Sequence, residues 1–408
     1  MKANAKVGTR NSEWMTVRLG DVVELNPRGG MAELSDESIV GFVPMSAVCE
    51  KRKEITAPEV RKFGDVRKGY TPMKNGDLII AKITPCFENG KLALVNLDHA
   101  ASFGSTEFHV MRPTGEVESR LLYHLLSSEL IQAEGRIQMK GAAGQKRVPA
   151  DFFRAFEFRV PRSLPEQKRL AKILDKADGV RRKLQQSLRL SDDFLRSVFL
   201  DMFGDPVTNP KGWPEEPMSE LMSDSKIGLV RASDQFGWDM PVPYVRMDAL
   251  TRDGAFLPEK VQGTHATVTE VASYSLKPGD LLFNTRNSKE LVGKVAIYPG
   301  PEGTTFNNNL MRIRFRKGID PYVIWAQFQF PRVQRELEAR KQGTTSVFAV
   351  YGKNLATLSF LVPPSDLQRN YRKVVDKVST SRLKMMSLLA QSESAFSSLQ
   401  QRAFRGEL

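Results

Sequence analysis

Met73–Lys82 reads "MKNGDLIIAK" and Leu276–Thr285 reads "LKPGDLLFNT". Gly76-Asp77 stands 203 positions before Gly279-Asp280, and each pair precedes an apolar run. Gly-Asp at such a place is turn punctuation, and short apolar runs bounded by Gly, Pro and Asn are strands. The same offset carries "GKLALV" at 90–95 onto "GKVAIY" at 293–298 without a gap. At an offset of 202, "FVPMSAV" (42–48) meets "YVRMDAL" (244–250), and Gly141 in "KGAAGQKRV" meets Gly343 in "KQGTTSVFAV". "FEFRVP" (156–161) then matches "LSFLVP" (358–363). Five matches in one order mark a tandem duplication with a repeat of roughly 200 residues.

Each copy ends in the same kind of segment. From Pro165 to Met202, the residues Leu170, Leu174, Ala177, Leu184, Leu188, Leu195 and Val198 recur at three- and four-residue steps. Ile173, Val180 and Phe194 widen the stripe. The second copy runs Tyr371, Val375, Val378, Met385, Leu389, Phe396 and Leu399. At an offset of 201, Gln167 falls on Gln368 and Arg181 on Arg382. Both segments predict long helices with one coiled-coil-like seam. Each is too long for its own domain to cover, so the two are expected to pair antiparallel. "MFGDPVTNPKGWP" (202–214) lies between the copies. Gly204 is expected to stop the first helix as Gly406 stops the second, and Trp213 to open the second core as Trp14 opens the first.

The rest of each copy is mixed. "DLIIAKI", "KLALVNL", "DLLFNT" and "KVAIY" read as strands, and "ESRLLYHLLSSELIQAEGRI" and "DPYVIWAQFQFPRVQRELEAR" as amphipathic helices. The expected fold class is therefore mixed α+β, with two tandem α/β domains, two long antiparallel helices and a pseudo-twofold internal repeat. The domains are placed at 1–164 and 205–364, with the helices at 165–204 and 365–408.

The 408 residues carry 60 Lys+Arg against 47 Asp+Glu, a formal charge of +13. Such an excess favours a polyanionic partner, because cations that neutralise phosphates release condensed counterions. Two cysteines and four histidines, none in a ligand spacing, predict neither a disulfide framework nor a metal site. The polar N-terminus lacks an apolar signal core and no run is long enough to span a bilayer, so a cytoplasmic protein without membrane contact is expected.

Catalytic motifs are missing. "ENGKLA" and "VGKVAI" lack the upstream Gly and following hydroxyl of a phosphate loop. "NPRGG" and "NPKGW" lack the second Pro and the aromatic of a base-methylating loop. Asp77 and Lys82 lack a second carboxylate between them, and the other copy has no such Lys, so Asp77 and Asp280 read as turn residues. What is left is a set of polar, basic loops in equivalent places. In the first copy they hold Lys82, Thr84 and Lys91, then Ser105 and Thr106, then Lys140, Gln145, Lys146 and Arg147. In the second they hold Thr285, Arg286, Asn287 and Lys294, then Asn307, Asn308 and Asn309, then Lys341, Thr344 and Thr345. Arg and Lys reach guanine edges and Asn or Gln pairs with adenine, while hydroxyls and backbone N–H groups position phosphates. These are the candidate DNA-binding residues. On residues alone two other classes stay open: a single-chain nuclease or methyltransferase with an unrecognised site, and a coiled-coil adaptor whose loops bind protein.

"LPEQKRLAKILDKAD" opening the first long helix, "MFGDPVTNPKGW" closing it and "QQRAFRGEL" at the C-terminus resemble the specificity subunits of type I restriction-modification systems. The resemblance covers essentially the whole chain. It implies two target recognition domains, each reading half of a bipartite, asymmetric double-stranded DNA site. It implies a coiled coil that sets the spacing and docks two modification (methyltransferase) subunits, here through Leu170, Leu174, Leu184, Leu188, Val198, Tyr371, Val378, Met385, Leu389 and Leu399. It also implies no catalysis and no cofactor on this chain. S-adenosylmethionine would sit on the modification subunits, and ATP and Mg on a restriction subunit that joins them. Two departures stand out: "PPSDLQRNYRKVV" lacks the Glu before Gln, and "GTTSVFAV" lacks the basic character of "GAAGQKRV".

Overall fold

The computed structural model describes residues 13–28, 34–99, 101–142, 144–343 and 347–408. It divides into two compact units. One combines the chain up to Ser187 with Met385–Leu408, and the other is Leu188–Lys384. Each unit thus holds one α/β domain, one half of its own long helix and one half of the other. The mixed class, the two tandem domains and the two long helices are all present.

In the first unit Gly76 turns the chain at φ +91°. Asp77 closes that turn by accepting from the Lys74 N–H at 2.9 Å. The strand Leu78–Ala81 follows with all four residues buried. It pairs antiparallel with Phe108–Pro113 and Leu92–Leu94, and Val23–Leu25 completes a four-stranded sheet. Because side chains alternate across a strand, the sheet feeds two cores. Leu78, Ile80, Leu92 and Met111 pack toward the helices, and Ile79, Ala81, Ala93 and Val110 pack the other way.

The second unit repeats this with Gly279 at φ +92°, Asp280 accepting from Lys277 N–H at 2.8 Å, and the strand Leu281–Asn284. Leu281, Phe283, Met311 and Ile313 face one core, and Leu282, Ala296 and Leu310 the other. Both aspartates do more than turn the chain. Arg112 grips Asp77 with two bonds of 2.9 Å, and Arg314 grips Asp280 at 2.7 and 3.0 Å. Removing either carboxylate would take from the guanidinium its two-bonded, buried partner on the sheet.

The long helices run Leu164–Phe203 and Ser365–Arg405. In the first unit Leu170 and Leu174 share a core with Ala403 and Phe404. In the second, Leu195, Phe199 and Phe203 share one with Tyr371 and Val375, and the Tyr371 ring lies 5.7 and 5.5 Å from those of Phe199 and Phe203. Early residues of one helix meet late residues of the other, so the pairing within each unit is antiparallel. Leu184, Leu188, Met385 and Leu389 are only half-buried. Val180 and Phe194, read as part of the stripe, are instead 54% and 52% exposed. Phe199 and Phe203 do the packing that Phe194 was expected to do.

Gly204 ends the first helix at φ +82° and Gly406 the second at φ +77°, the left-handed cap that glycine adopts without strain. The segment after Gly204 satisfies the helix's last carbonyls. The Trp213 indole N–H donates to the Phe203 carbonyl at 2.8 Å, and Lys211 Nζ donates to those of Asp201 and Met202, both at 2.9 Å. Trp213 is therefore a half-buried cap and not the opening core residue expected of it. Trp14 does enter a core, beside Gly406, whose added Cβ would meet the Trp14 ring at 3.2 Å.

One glutamine fastens each domain to its helix. Gln167 accepts from the Glu118 N–H at 2.9 Å and donates to the Pro161 carbonyl at 2.8 Å. Gln368 accepts from Asp320 N–H and donates to the Pro363 carbonyl, both at 2.7 Å. Both are essentially fully buried. Replacing either by Ala strands a buried donor and acceptor and is expected to lower stability by about 1–3 kcal/mol. Chemical denaturation checks this, with the exposed Lys168→Ala as the neutral control.

Candidate nucleic-acid interface

Where the central strand of each sheet ends, three loops converge. In the first unit Lys82 N–H donates to the Glu107 carbonyl at 2.9 Å, and Thr84 N–H to the Lys146 carbonyl at 2.9 Å. Ile83 bridges Arg147, which in turn bridges Lys140. In the second unit Thr285 N–H donates to the Asn309 carbonyl at 2.8 Å. Arg286–Asn287 pairs with Phe348–Ala349, which pairs with Gln342–Gly343. These contacts are the same ones displaced by 202 or 203 positions, so the loops aligned from sequence form one equivalent edge in each unit.

The candidate residues fall into two groups. Some are held inside the domain. Lys91 Nζ donates to the Met45 carbonyl at 2.9 Å, and Lys294 Nζ donates to the Met247 carbonyl at 2.7 Å and to that of Leu250. Burial pushes the Lys294 ammonium below its ordinary pKa. These two are one structural lysine written twice, tying a neighbouring turn to the sheet. Asn307 is only 7% exposed; it donates to Tyr244 Oη at 3.0 Å and accepts from Asn309 N–H at 2.8 Å. Thr285 Oγ1 donates to the Asn309 carbonyl at 3.0 Å, and Asn287 Nδ2 to Asn284 Oδ1 at 3.0 Å. Ser105 Oγ accepts from Glu107 N–H at 3.2 Å, and Lys341 Nζ donates to the Lys289 carbonyl at 2.7 Å.

The others line the outer rim. Thr106, Lys140, Gln145, Lys146 and Arg286 are exposed, while Lys82, Thr84, Arg147, Asn308 and Asn309 are half-buried. Thr84 Oγ1 donates to the Gly144 carbonyl at 3.2 Å and accepts from Lys146 N–H at 3.1 Å, holding the hairpin in place. Thr344 and Thr345 lie outside the described residues. Two residues that matter here were not anticipated. Asn284, fully buried, organises the second edge by donating to the carbonyls of Asn309 and Arg286 at 3.0 and 3.2 Å. Glu107 accepts two close bonds from Arg147, at 3.0 and 2.8 Å, and those bonds hold its carboxyl below the usual range. The only signal for either lay in the alignment of the repeats, where Asn284 falls on Ala81 and Glu107 on Asn309.

Basic and amide side chains over a floor of closed backbone hydrogen bonds can contact phosphates and base edges. Among the described residues, no group of three or more His, Cys, Asp or Glu is placed to hold a metal ion. Among them, too, no helix is long and apolar enough to cross a membrane.

Residues 11–189 match the model of the type I restriction modification DNA specificity domain. The chain is 41% identical over 161 residues to the type I restriction enzyme EcoAI specificity subunit of Escherichia coli, covering 39% of this chain and 26% of that protein. To the EcoEI specificity subunit of the same organism it is 36% identical over 184 residues, 44% of this chain and 30% of that one. The chain therefore matches less than a third of the length of these relatives. In fold it is similar to the crystal structure of a type I restriction-modification system S subunit from M. genitalium. That match has a TM-score of 0.55 at 12% identity and covers 99% of this chain and 98% of the other.

The division between structural and rim residues makes a prediction. Lys91→Met and Lys294→Met are each expected to cost about 1.5–3 kcal/mol of stability, as loss of a charged donor does. Lys146→Met and Arg286→Met are expected to stay within about 0.5 kcal/mol. Urea titration of the four variants separates the groups.

Proposed function

We propose that this chain, which carries a type I restriction modification DNA specificity domain, is the DNA-reading subunit of a type I restriction-modification complex, each unit contacting one half of a bipartite duplex site. One observation carries the reading. The same loop edge is built in both units by the same backbone bonds, while the side chains at its rim differ. Duplicated scaffolds with unlike rims suit two readers of two unlike sequences. The charge of +13 supports this, since phosphate contacts supply most of the sequence-independent affinity for DNA.

In this reading the chain performs no chemistry. It delivers a duplex to two modification subunits, which hold S-adenosylmethionine and methylate adenine, and to restriction subunits that use ATP and Mg. The long helices dock those subunits and set the distance between half-sites. The structural role of Asp77 and Asp280 supports the assignment, because both carboxylates are occupied by arginine.

Mapping methylated adenines in host DNA with and without the chain tests the function. Methylation confined to one asymmetric, two-part sequence and lost with the chain is expected; an unchanged methylation map would overturn the proposal. A four-residue insertion after Leu188, about one helical turn or ~6 Å, is expected to change the preferred spacer while both half-sites stay the same. The same mapping, done on the insertion variant, reads this out.

A further inference from the structure

Arg147 is held in an unusual way for a residue on an exposed hairpin. Its side chain keeps 41% of its exposure, yet three of its donors have protein partners. Nε and Nη2 donate to the two oxygens of Glu107 at 3.0 and 2.8 Å, and Nη1 donates to the Gln145 carbonyl at 3.1 Å. Glu107 is itself fixed: its backbone N–H donates to Ser105 Oγ at 3.2 Å and its carbonyl accepts from Lys82 N–H at 2.9 Å. A guanidinium has five N–H donors, so one on Nη1 and one on Nη2 are left. Donors on the two Nη atoms of one planar group are of the kind that pairs with the O6 and N7 acceptors of guanine in the major groove. The carboxylate removes the rotamer freedom that a solvated arginine would lose on binding.

We propose that Arg147 reads a guanine in the half-site of the first unit, and that Glu107 is the residue that positions it. This rests on the DNA-reading function proposed above. The second unit lacks the device. At the equivalent positions, 202 residues on, stand Ala349 and Asn309, and Asn309 presents an amide instead. The two half-sites therefore differ at this place in what is read.

The test uses the full chain assembled with its modification subunits and a randomised duplex library, with binding ranked at one fixed salt concentration. Wild type is expected to require guanine at one position of one half-site. Arg147→Ala is expected to reduce that preference about ten- to a hundredfold, leaving every other position and the second half-site unchanged, which also shows that the variant is folded. Arg147→Lys keeps the charge but not the fork and is expected to lose the same position. It serves the test should Arg147→Ala fail to fold. Glu107→Gln is expected to weaken discrimination at that position alone, with the salt dependence of binding unchanged. If Arg147→Ala instead weakens all sequences alike and lowers the salt slope by about one, Arg147 is a phosphate contact and the proposal falls. It falls equally if no position changes. A wild-type complex with no preferred sequence would overturn the DNA-reading function itself, a result distinct from either.

Discussion

A helix of 40 residues with an apolar stripe along its length cannot be covered by one small domain. Each leucine-sized side chain left in water costs about 1.5–3 kcal/mol relative to burial. In this protein the stripe is divided. Leu170 and Leu174 enter the first unit's core together with the end of the second helix, and Leu195, Phe199 and Phe203 enter the second unit's core together with its start. The first α/β domain is completed by a segment from the far end of the sequence, and the second by the helix end that directly precedes it. The other repeated devices follow from that requirement: a buried glutamine at each helix start and a left-handed glycine at each helix end.

The same economy governs the loop edges. Lys91 and Lys294 hold equivalent turns, Asp77 and Asp280 hold equivalent arginines, and a strand-end N–H meets a loop carbonyl in both units. With the scaffold closed by its own hydrogen bonds, the rim is free to vary. Lys140 and Lys146 lie where the second unit has Gln342 and Phe348, and the Glu107–Arg147 pair where it has Asn309 and Ala349. In such an arrangement, substitutions at the rim cost little stability.

The sequence showed more of the architecture than of the site. Helix ends, the turn role of Asp77 and Asp280 and the equivalence of the loops were all legible, because each depends on local chemistry or on self-similarity. The placements that sequence did not anticipate share a cause. Lys91, Lys294 and Asn307 look like ligands for a polyanion because their types are right, but an ammonium or an amide bonds whichever acceptor is nearest, and here that is a carbonyl or a tyrosine. Trp213 looked like a core residue because it aligns with one, yet its indole N–H found the carbonyl of Phe203, the last residue of the helix.

Periodicity and repetition, which are properties of the chain, were enough to establish two copies and two long helices, and composition gave the excess of positive charge. Which cations face outward, and which carboxylate steers Arg147, was decided only when loops forty residues or more apart were brought within hydrogen-bond distance. Hydrogen bonds are short-ranged and directional, so a side chain's partner is fixed by the fold around it and not by its neighbours in sequence.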